Sequence, residues 1–503
     1  MNKLSNLEKI TLGALAALFT VLCWNSTKTL NLWGDEAFSL DLISAPFRSI
    51  WLFSDNHTPT YFLLLKAVAS VTGDGYAQEP LLRMLHVPLF LAGFYFGYKT
   101  LRLVFGSPAL AALTLLLVIL LPLFPYYATN LRMYGLVFLG SMWFVHAVAV
   151  FLEEDRPLSI RDWNVLGSGS LLLFSDYAGL VVFVLGAAAV AERNRRLGAW
   201  KRSLLLLLPP ALLVGALAPV ILPNMVLVAK WPSKSTQDPA AGFNLLNIAY
   251  NKFRPVVDLA DISFRDIRVP LAQMALYGLL LAAGTAAAAR RFWRSRNAPL
   301  LFILAVSYAY LLTAVATQTS PSRVYLCSQF FMAALIVRGL ALLQGFSRRS
   351  AAAVCALMLG VSSYMAFHPV PRLNSLLPNR EVALDVLEKS RQLGIPKVLV
   401  SDNSLNNLGV KRYLFQGGLP AGDFGMLDLA FTPQDLPKGK FLFLSFMGGR
   451  ETIDMQRFTA SKRSVTTLNQ YLKLDSLPYN RLWKKHFQDK TSQDYAFVLY
   501  AVK

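Results

Sequence analysis

The residues with the clearest chemical potential stand close together in Leu32-Trp33-Gly34-Asp35-Glu36-Ala37-Phe38. Two adjacent carboxylates follow the first apolar run. Desolvation beside a membrane raises a carboxylate pKa, and a carboxylate near a substrate hydroxyl can act as a general base. The same pair would also suit a solvated loop or the first turn of an interfacial helix. A second group is Ser54-Asp55-Asn56-His57-Thr58-Pro59-Thr60-Tyr61-Phe62, where Asp55, His57 and Tyr61 meet at the entrance to another apolar run. His57 can donate to a phosphate, and Pro59 can set a first helical turn. Its plain alternative is a capped helix start.

Cations at the edges of apolar runs make the third group: Arg83, Arg132 in Thr129-Asn130-Leu131-Arg132-Met133-Tyr134, and Arg323 in Ser320-Pro321-Ser322-Arg323-Val324-Tyr325. Arginine is costly near lipid and grips phosphate as a planar fork. Taken singly, each also reads as an interface anchor that snorkels. Asp176-Tyr177, between two apolar runs, either faces the same cavity or forms a turn. Read together, the arginines and His57 would hold a lipid-linked phosphate while a carboxylate activates an acceptor hydroxyl. The sequence contains no P-loop, no His-Glu-x-x-His site and no Gly-x-Ser-x-Gly elbow.

The elements that must position these groups follow from composition. The chain has 503 residues, 55% apolar and only 16% charged, with 49 basic and 29 acidic residues. A soluble domain carries about 25% charge, so most of this chain belongs in lipid. The net charge of +20 lies in clusters between apolar runs: 193–202, 290–296 and 338–349. That is the pattern of cytoplasmic loops, and it argues against nucleic acid as a partner. The three cysteines give neither a disulfide framework nor a zinc pattern.

A span needs about 20 apolar residues. Twelve candidate runs lie between residues 7 and 367. Twelve would return the tail to the side of the N-terminus, whereas the arginine loops place the tail outside and Lys3 and Lys9 place the N-terminus inside. The expected number is therefore eleven or thirteen. The expected organisation is a transmembrane catalytic domain over 1–367 with outer loops at 25–57 and 224–268, and an extracytoplasmic α/β domain over 368–503. The loop at 25–57 is expected to form short amphipathic helices in the interface. In the tail, Val382–Leu393 has helical spacing, while KVLV at 397–400, FLFLSF at 441–446 and YAFVLYAV at 495–502 read as buried strands.

The order Trp33-Gly34-Asp35-Glu36-Ala37, then Asp55-Asn56-His57-Thr58-Pro59-Thr60-Tyr61-Phe62-Leu63-Leu64-Leu65, then Leu82-Arg83, then Asn130-Leu131-Arg132-Met133-Tyr134-Gly135-Leu136 resembles the GT-C superfamily of polytopic glycosyltransferases. The likeness is to the branch of protein O-mannosyltransferases and bacterial lipid A aminoarabinose transferases. It covers the first third of the chain; beyond that only the texture matches. Thr58-Pro59-Thr60 departs from the Pro-Pro-Leu frequent in that family.

The resemblance implies an inverting transfer from a polyprenyl-phosphate sugar to an acceptor hydroxyl of a lipid, glycan or protein at the outer face. Asp35 would be the base, with Glu36 in support. His57 would contact the donor phosphate, and Arg83, Arg132 and Arg323 would be further phosphate or structural partners. Asp55, Tyr61, Tyr134, Asp176, Tyr177 and Tyr325 would line the cavity. No cofactor is expected; a single acidic pair makes a divalent metal optional. The implied location is a bacterial inner (plasma) membrane with a cytoplasmic N-terminus. Two alternatives remain: a transporter or flippase, and a polymerase or ligase acting on lipid-linked glycans.

Overall fold

The computed structural model describes residues 4–27, 30–32, 34–53, 58–73, 78–176, 179–218, 268–309, 326–367, 378–401, 406–427, 436–446, 458, 463–473 and 495–503. Seven described helices are long and apolar enough to cross a membrane: 6–27, 79–105, 134–153, 200–218, 272–295, 326–346 and 348–367. Three shorter apolar helices, 60–72, 108–120 and 298–307, join them. The molecule is a polytopic helical membrane protein with a C-terminal α/β domain.

The helices that bear on the site are α1 (Asn6–Thr27), α2 (Gly34–Ser44), α3 (Phe47–Phe53), α4 (Thr60–Thr72), α5 (Glu79–Met84), α6 (His86–Phe105), α7 (Pro108–Leu120), α8 (Leu123–Ala128), α9 (Tyr134–Glu153), α10 (Trp163–Ser175) and α11 (Leu180–Arg196). The long apolar run at 79–105 breaks between α5 and α6. Pro88, in the first turn of α6, has no N–H to donate to the Met84 carbonyl, so the helix is interrupted there. The run around Asp176 likewise divides, with Asp176 itself in extended conformation after α10.

The bundle has two chemically distinct ends. α1 begins with a capping box, in which the Ser5 N–H donates to Glu8 and the Glu8 N–H donates to the Ser5 hydroxyl. Glu8 also meets Arg102 near the end of α6, at 3.3 Å. α9 starts at Tyr134 and ends at Glu153, and the carbonyl of Glu154 accepts from Arg193 at 2.5 Å. Twenty residues at about 1.5 Å rise put this arginine-rich end about 30 Å from the start of α9. The chain after α11 continues as α12 (Trp200–Ala218). Further on come α13 (Arg268–Ser295), α14 (Ala298–Ser307), α15 (Leu326–Phe346) and α16 (Arg348–Phe367). α13 and α15 touch backbone to backbone: a Cβ on Gly284 would lie 1.8 Å from the Leu335 carbonyl oxygen. Small residues allow such an approach between helices in lipid.

The C-terminal domain pairs α17 (Asn379–Leu393) and α18 (Asn406–Gln416) with five strands. These are β1 (Val398–Ser401), β2 (Phe424–Leu427), β3 (Phe441–Phe446), β4 (Val465–Lys473) and β5 (Tyr495–Val502), in the order β2-β1-β3-β5-β4. β1 pairs in parallel with β2 and β3, and β5 is antiparallel to β3 and β4. Leu442, Leu444, Phe497 and Leu499 join the main core with Val382, Val386 and Tyr413. On the other sheet face, Phe441, Phe443 and Tyr500 pack with Phe458 and Leu399. The central strands are thus covered on both sides, which is why they read as unbroken apolar runs.

α2 is two-sided. Glu36, Ala37, Ser39, Leu40, Leu42 and Ile43 are all buried. Asp35, Phe38, Asp41 and Ser44 form its less buried stripe, and both α4 and α18 pack against the helix.

Candidate functional site

α2 starts with Asp35 and Glu36 in its first turn, where the helix dipole favours negative charge. It stops before Pro46, and Lys66 of α4 donates to the carbonyls of Ile43 and Ala45, both at 2.7 Å. A cation on the last carbonyls satisfies groups the helix itself leaves open.

The two carboxylates have different environments. The Glu36 side chain is 1% exposed and lies in a fork formed by Arg83, with Nη1–Oε1 at 2.5 Å and Nη2–Oε2 at 3.1 Å. The Leu131 N–H also donates to it, at 2.9 Å. Burial raises the Glu36 carboxyl above its ordinary value, and the Arg83 guanidinium works in the opposite sense. The Asp35 side chain keeps 14% exposure, and its Oδ2 lies 3.9 Å from Arg132 Nη2. Arg132 Nη1 donates to the Asp35 backbone carbonyl at 3.3 Å. Of the pair, Asp35 is the more exposed acid.

Arg83 is the structural hub. Beyond Glu36, its Nη1 donates to the Thr129 carbonyl at 2.8 Å. Its Nε and Nη2 donate to Glu79 at 3.1 and 2.9 Å. A guanidinium has five N–H groups, and all five are engaged by these contacts. In this arrangement Arg83 has no N–H to offer a phosphate. Its guanidinium instead ties together α2, α5 and the loop 129–133 that carries Arg132.

Beneath that loop lie rings. Tyr61 of α4 is fully buried and stacks on His86 at 5.4 Å between centroids. Tyr134, at the head of α9, meets Tyr127 edge to face at 5.0 Å. The missing side chain of Gly135 admits His86, since a Cβ there would sit 2.9 Å from the ring. Asp176 is buried at the end of α10. The Thr58 hydroxyl reaches the same turn, donating to the Phe174 and Ser175 carbonyls at 2.6 and 2.9 Å. The fold therefore brings Asp35, Glu36, Arg83, Arg132, Tyr61 and Tyr134 to one end of the bundle, with Asp176 at the entrance of α4. Asp55, His57, Tyr177, Arg323 and Tyr325 lie outside the described residues, as does 224–267.

Several partners were not named by the sequence. Glu79, four residues before Arg83 on one helix face, carried a recognisable i,i+4 signal. Tyr413 and Asn379, far along the chain, carried none. The Tyr413 hydroxyl donates to Glu79 at 3.1 Å and accepts from the Leu32 N–H at 3.1 Å. Burial pushes its phenol well above the ordinary value, so it remains a neutral hydroxyl. Asn379 donates to the Leu32 carbonyl at 2.7 Å. Among the described residues, no group of three or more His, Cys, Asp or Glu side chains could hold a metal ion.

No protein-family model matches the chain, and no curated protein matches it by sequence. Solved structures do. ArnT from Cupriavidus metallidurans in the apo state aligns over 97% of both chains, with 13% identity and a TM-score of 0.53. The archaeal oligosaccharyltransferase AglB from Archaeoglobus fulgidus, solved with an inhibitory peptide and a dolichol-phosphate, aligns over 90% of this chain and 70% of its own. Its identity is 11% and its TM-score 0.52. The arabinofuranosyltransferase AftD from Mycobacteria aligns over 99% of this chain but 40% of its own, with 12% identity and a TM-score of 0.53. All three are GT-C glycosyltransferases. The chain has the GT-C fold.

Proposed function

We propose that this chain is a membrane glycosyltransferase that moves a sugar from a polyprenyl-phosphate donor to an acceptor hydroxyl at the outer face of the membrane, by a single inverting displacement. The observation that carries the reading is the division of labour at the head of α2. Glu36 is committed to Arg83, while the partly exposed Asp35 stands beside Arg132. The fold supports it, and AglB, solved with a dolichol-phosphate, supports a lipid-phosphate donor.

The acceptor oxygen attacks the anomeric carbon as the bond from that carbon to the phosphate oxygen breaks. The acceptor proton passes to the Asp35 carboxylate, and the polyprenyl phosphate leaves with an added negative charge. A positioned base is worth typically about 10²–10⁴-fold. Arg132, beside Asp35, is assigned to the leaving phosphate, and in a low-dielectric site such a contact is worth several kcal/mol. From the family resemblance, His57 and Arg323 are assigned to the same phosphate. Arg83, with its donors engaged, is assigned to holding Glu36 and the Arg132 loop. No metal is invoked. The acceptor is a hydroxyl-bearing lipid, glycan or protein.

The outer-face assignment rests on charge. The arginine clusters gather at the end of the bundle opposite Asp35, and positive loops remain cytoplasmic. This favours a cytoplasmic N-terminus and a C-terminal domain outside the bacterial inner membrane. Native mass spectrometry of the purified protein tests the donor class. Retained polyprenyl phosphate, or uptake of added undecaprenyl phosphate that weakens in Arg132→Ala, is the expected result. A protein that takes up none under any loading condition would remove the proposal.

A further inference from the structure

The C-terminal domain reaches the catalytic turn through contacts that go beyond covering it. Leu32, three residues before Asp35, is fully buried, and both its N–H and its C=O are held by the distant domain. The Tyr413 hydroxyl of α18 takes its N–H and the Asn379 amide at the start of α17 takes its C=O. Gly409 of α18 makes room: a Cβ there would lie 2.6 Å from the Leu32 carbonyl oxygen and 2.8 Å from Asn379 Nδ2. Tyr413 continues into the ionic network, donating to Glu79, which in turn binds Arg83 and through it Glu36. The residue before Tyr413, Arg412, binds Asp41 of α2 at 2.9 Å and Ser44 at 3.3 Å.

We infer that Tyr413, Asn379 and Gly409 are positioning residues for catalysis: by clamping Leu32 they fix where α2 begins, and hence where the Asp35 carboxylate stands relative to Arg132. This rests on the reading of Asp35 as the base. A backbone held at both its donor and its acceptor cannot slide along the helix axis, and buried backbone groups that lose a partner retain a desolvation cost. A displacement of about 1 Å at a reacting group can lower turnover about 10²-fold. The domain therefore takes part in placing the base that receives the acceptor proton.

The test uses the full-length protein in nanodiscs with three variants. Tyr413→Phe keeps the ring and removes only the hydroxyl. Asn379→Ala frees the Leu32 carbonyl. Gly409→Ala adds one methyl group that pushes on it. Two readouts are taken: hydrogen–deuterium exchange over residues 30–44, and the kcat and KM values for transfer from a panel of synthetic polyprenyl-phosphate sugars. Each variant should speed exchange in 30–44 by about tenfold, the effect of losing one buried hydrogen bond. Exchange in α6 and α9 should not change. Turnover should fall at least about tenfold in kcat, with KM for donor and acceptor within about twofold. Unchanged exchange in all three variants, or a raised acceptor KM at unaltered kcat, overturns the clamp. If the wild-type protein transfers from none of the donors, the parent reading fails, and the exchange data still decide whether α17 and α18 hold the turn.

Discussion

Replacing Arg83 by methionine separates two roles that an arginine at a membrane boundary can have. The side chain is 1% exposed, with Glu36 at 1% and Glu79 at 12% around it. Methionine fills much of the volume, keeps helix propensity and removes all five hydrogen bonds. Glu36 would keep the Leu131 N–H bond while losing its counter-charge. Breaking a buried pair from one side costs about 3–5 kcal/mol, because the remaining charge stays buried. Glu36→Gln removes the charge but keeps an oxygen for Leu131, and should cost about 1–3 kcal/mol. In the double variant the stranded carboxylate no longer exists. Its loss should fall short of the sum of the single losses by about 1–3 kcal/mol. SDS-titrated unfolding in mixed micelles, followed by tryptophan fluorescence, reads all three. Uptake of undecaprenyl phosphate by native mass spectrometry is measured alongside. An Arg83→Met protein that unfolds like wild type yet no longer takes up the lipid would make Arg83 a phosphate ligand and refute the pairing argument. Strict additivity in the double variant would refute it as well.

Gly284→Ala should push α13 from α15 and destabilise the bundle by about 1–3 kcal/mol in the same unfolding assay. Gly278→Ala, whose added methyl group meets nothing within 4 Å, should be neutral or mildly stabilising. Lys66→Met removes two charge-assisted bonds from the end of α2 and should cost about 1.5–3 kcal/mol. Exchange should speed up at residues 40–45, and a protected α2 end in that variant would show that the cap is redundant.

The legible parts of this molecule were those whose physics is local. Asp35 and Glu36 stood out because two acids beside an apolar run are expensive. Arg83 and Arg132 stood out for the same reason at other boundaries. FLFLSF and YAFVLYAV were readable as strands because both sheet faces are covered, so every position is apolar. β4, Val-Thr-Thr-Leu-Asn-Gln-Tyr-Leu-Lys, lies at the sheet edge and carries polar residues along it. The four-residue β2 is the other edge, and neither gave a clear run of apolar residues. The role of each charge was harder. Arg83 looked like a phosphate ligand in the sequence, whereas in the structure its five bonds run to three partners, Glu36 of α2, Glu79 of α5 and the Thr129 carbonyl. The clamp on Leu32 was invisible because Tyr413 and Asn379 lie more than 340 residues away, and nothing in Asn-Asn-Leu-Gly-Val-Lys-Arg-Tyr distinguishes that helix from a solvated one.

The central claim is that the Asp35 carboxylate takes the acceptor proton, and Asp35→Asn measures it most directly. The amide preserves the shape of the side chain beside Arg132 and removes the base. Turnover from the polyprenyl-phosphate sugar should fall about 10²–10⁴-fold in kcat, while uptake of undecaprenyl phosphate and resistance to SDS stay within error of wild type. An Asp35→Asn enzyme that turns over at the wild-type rate would contradict the account.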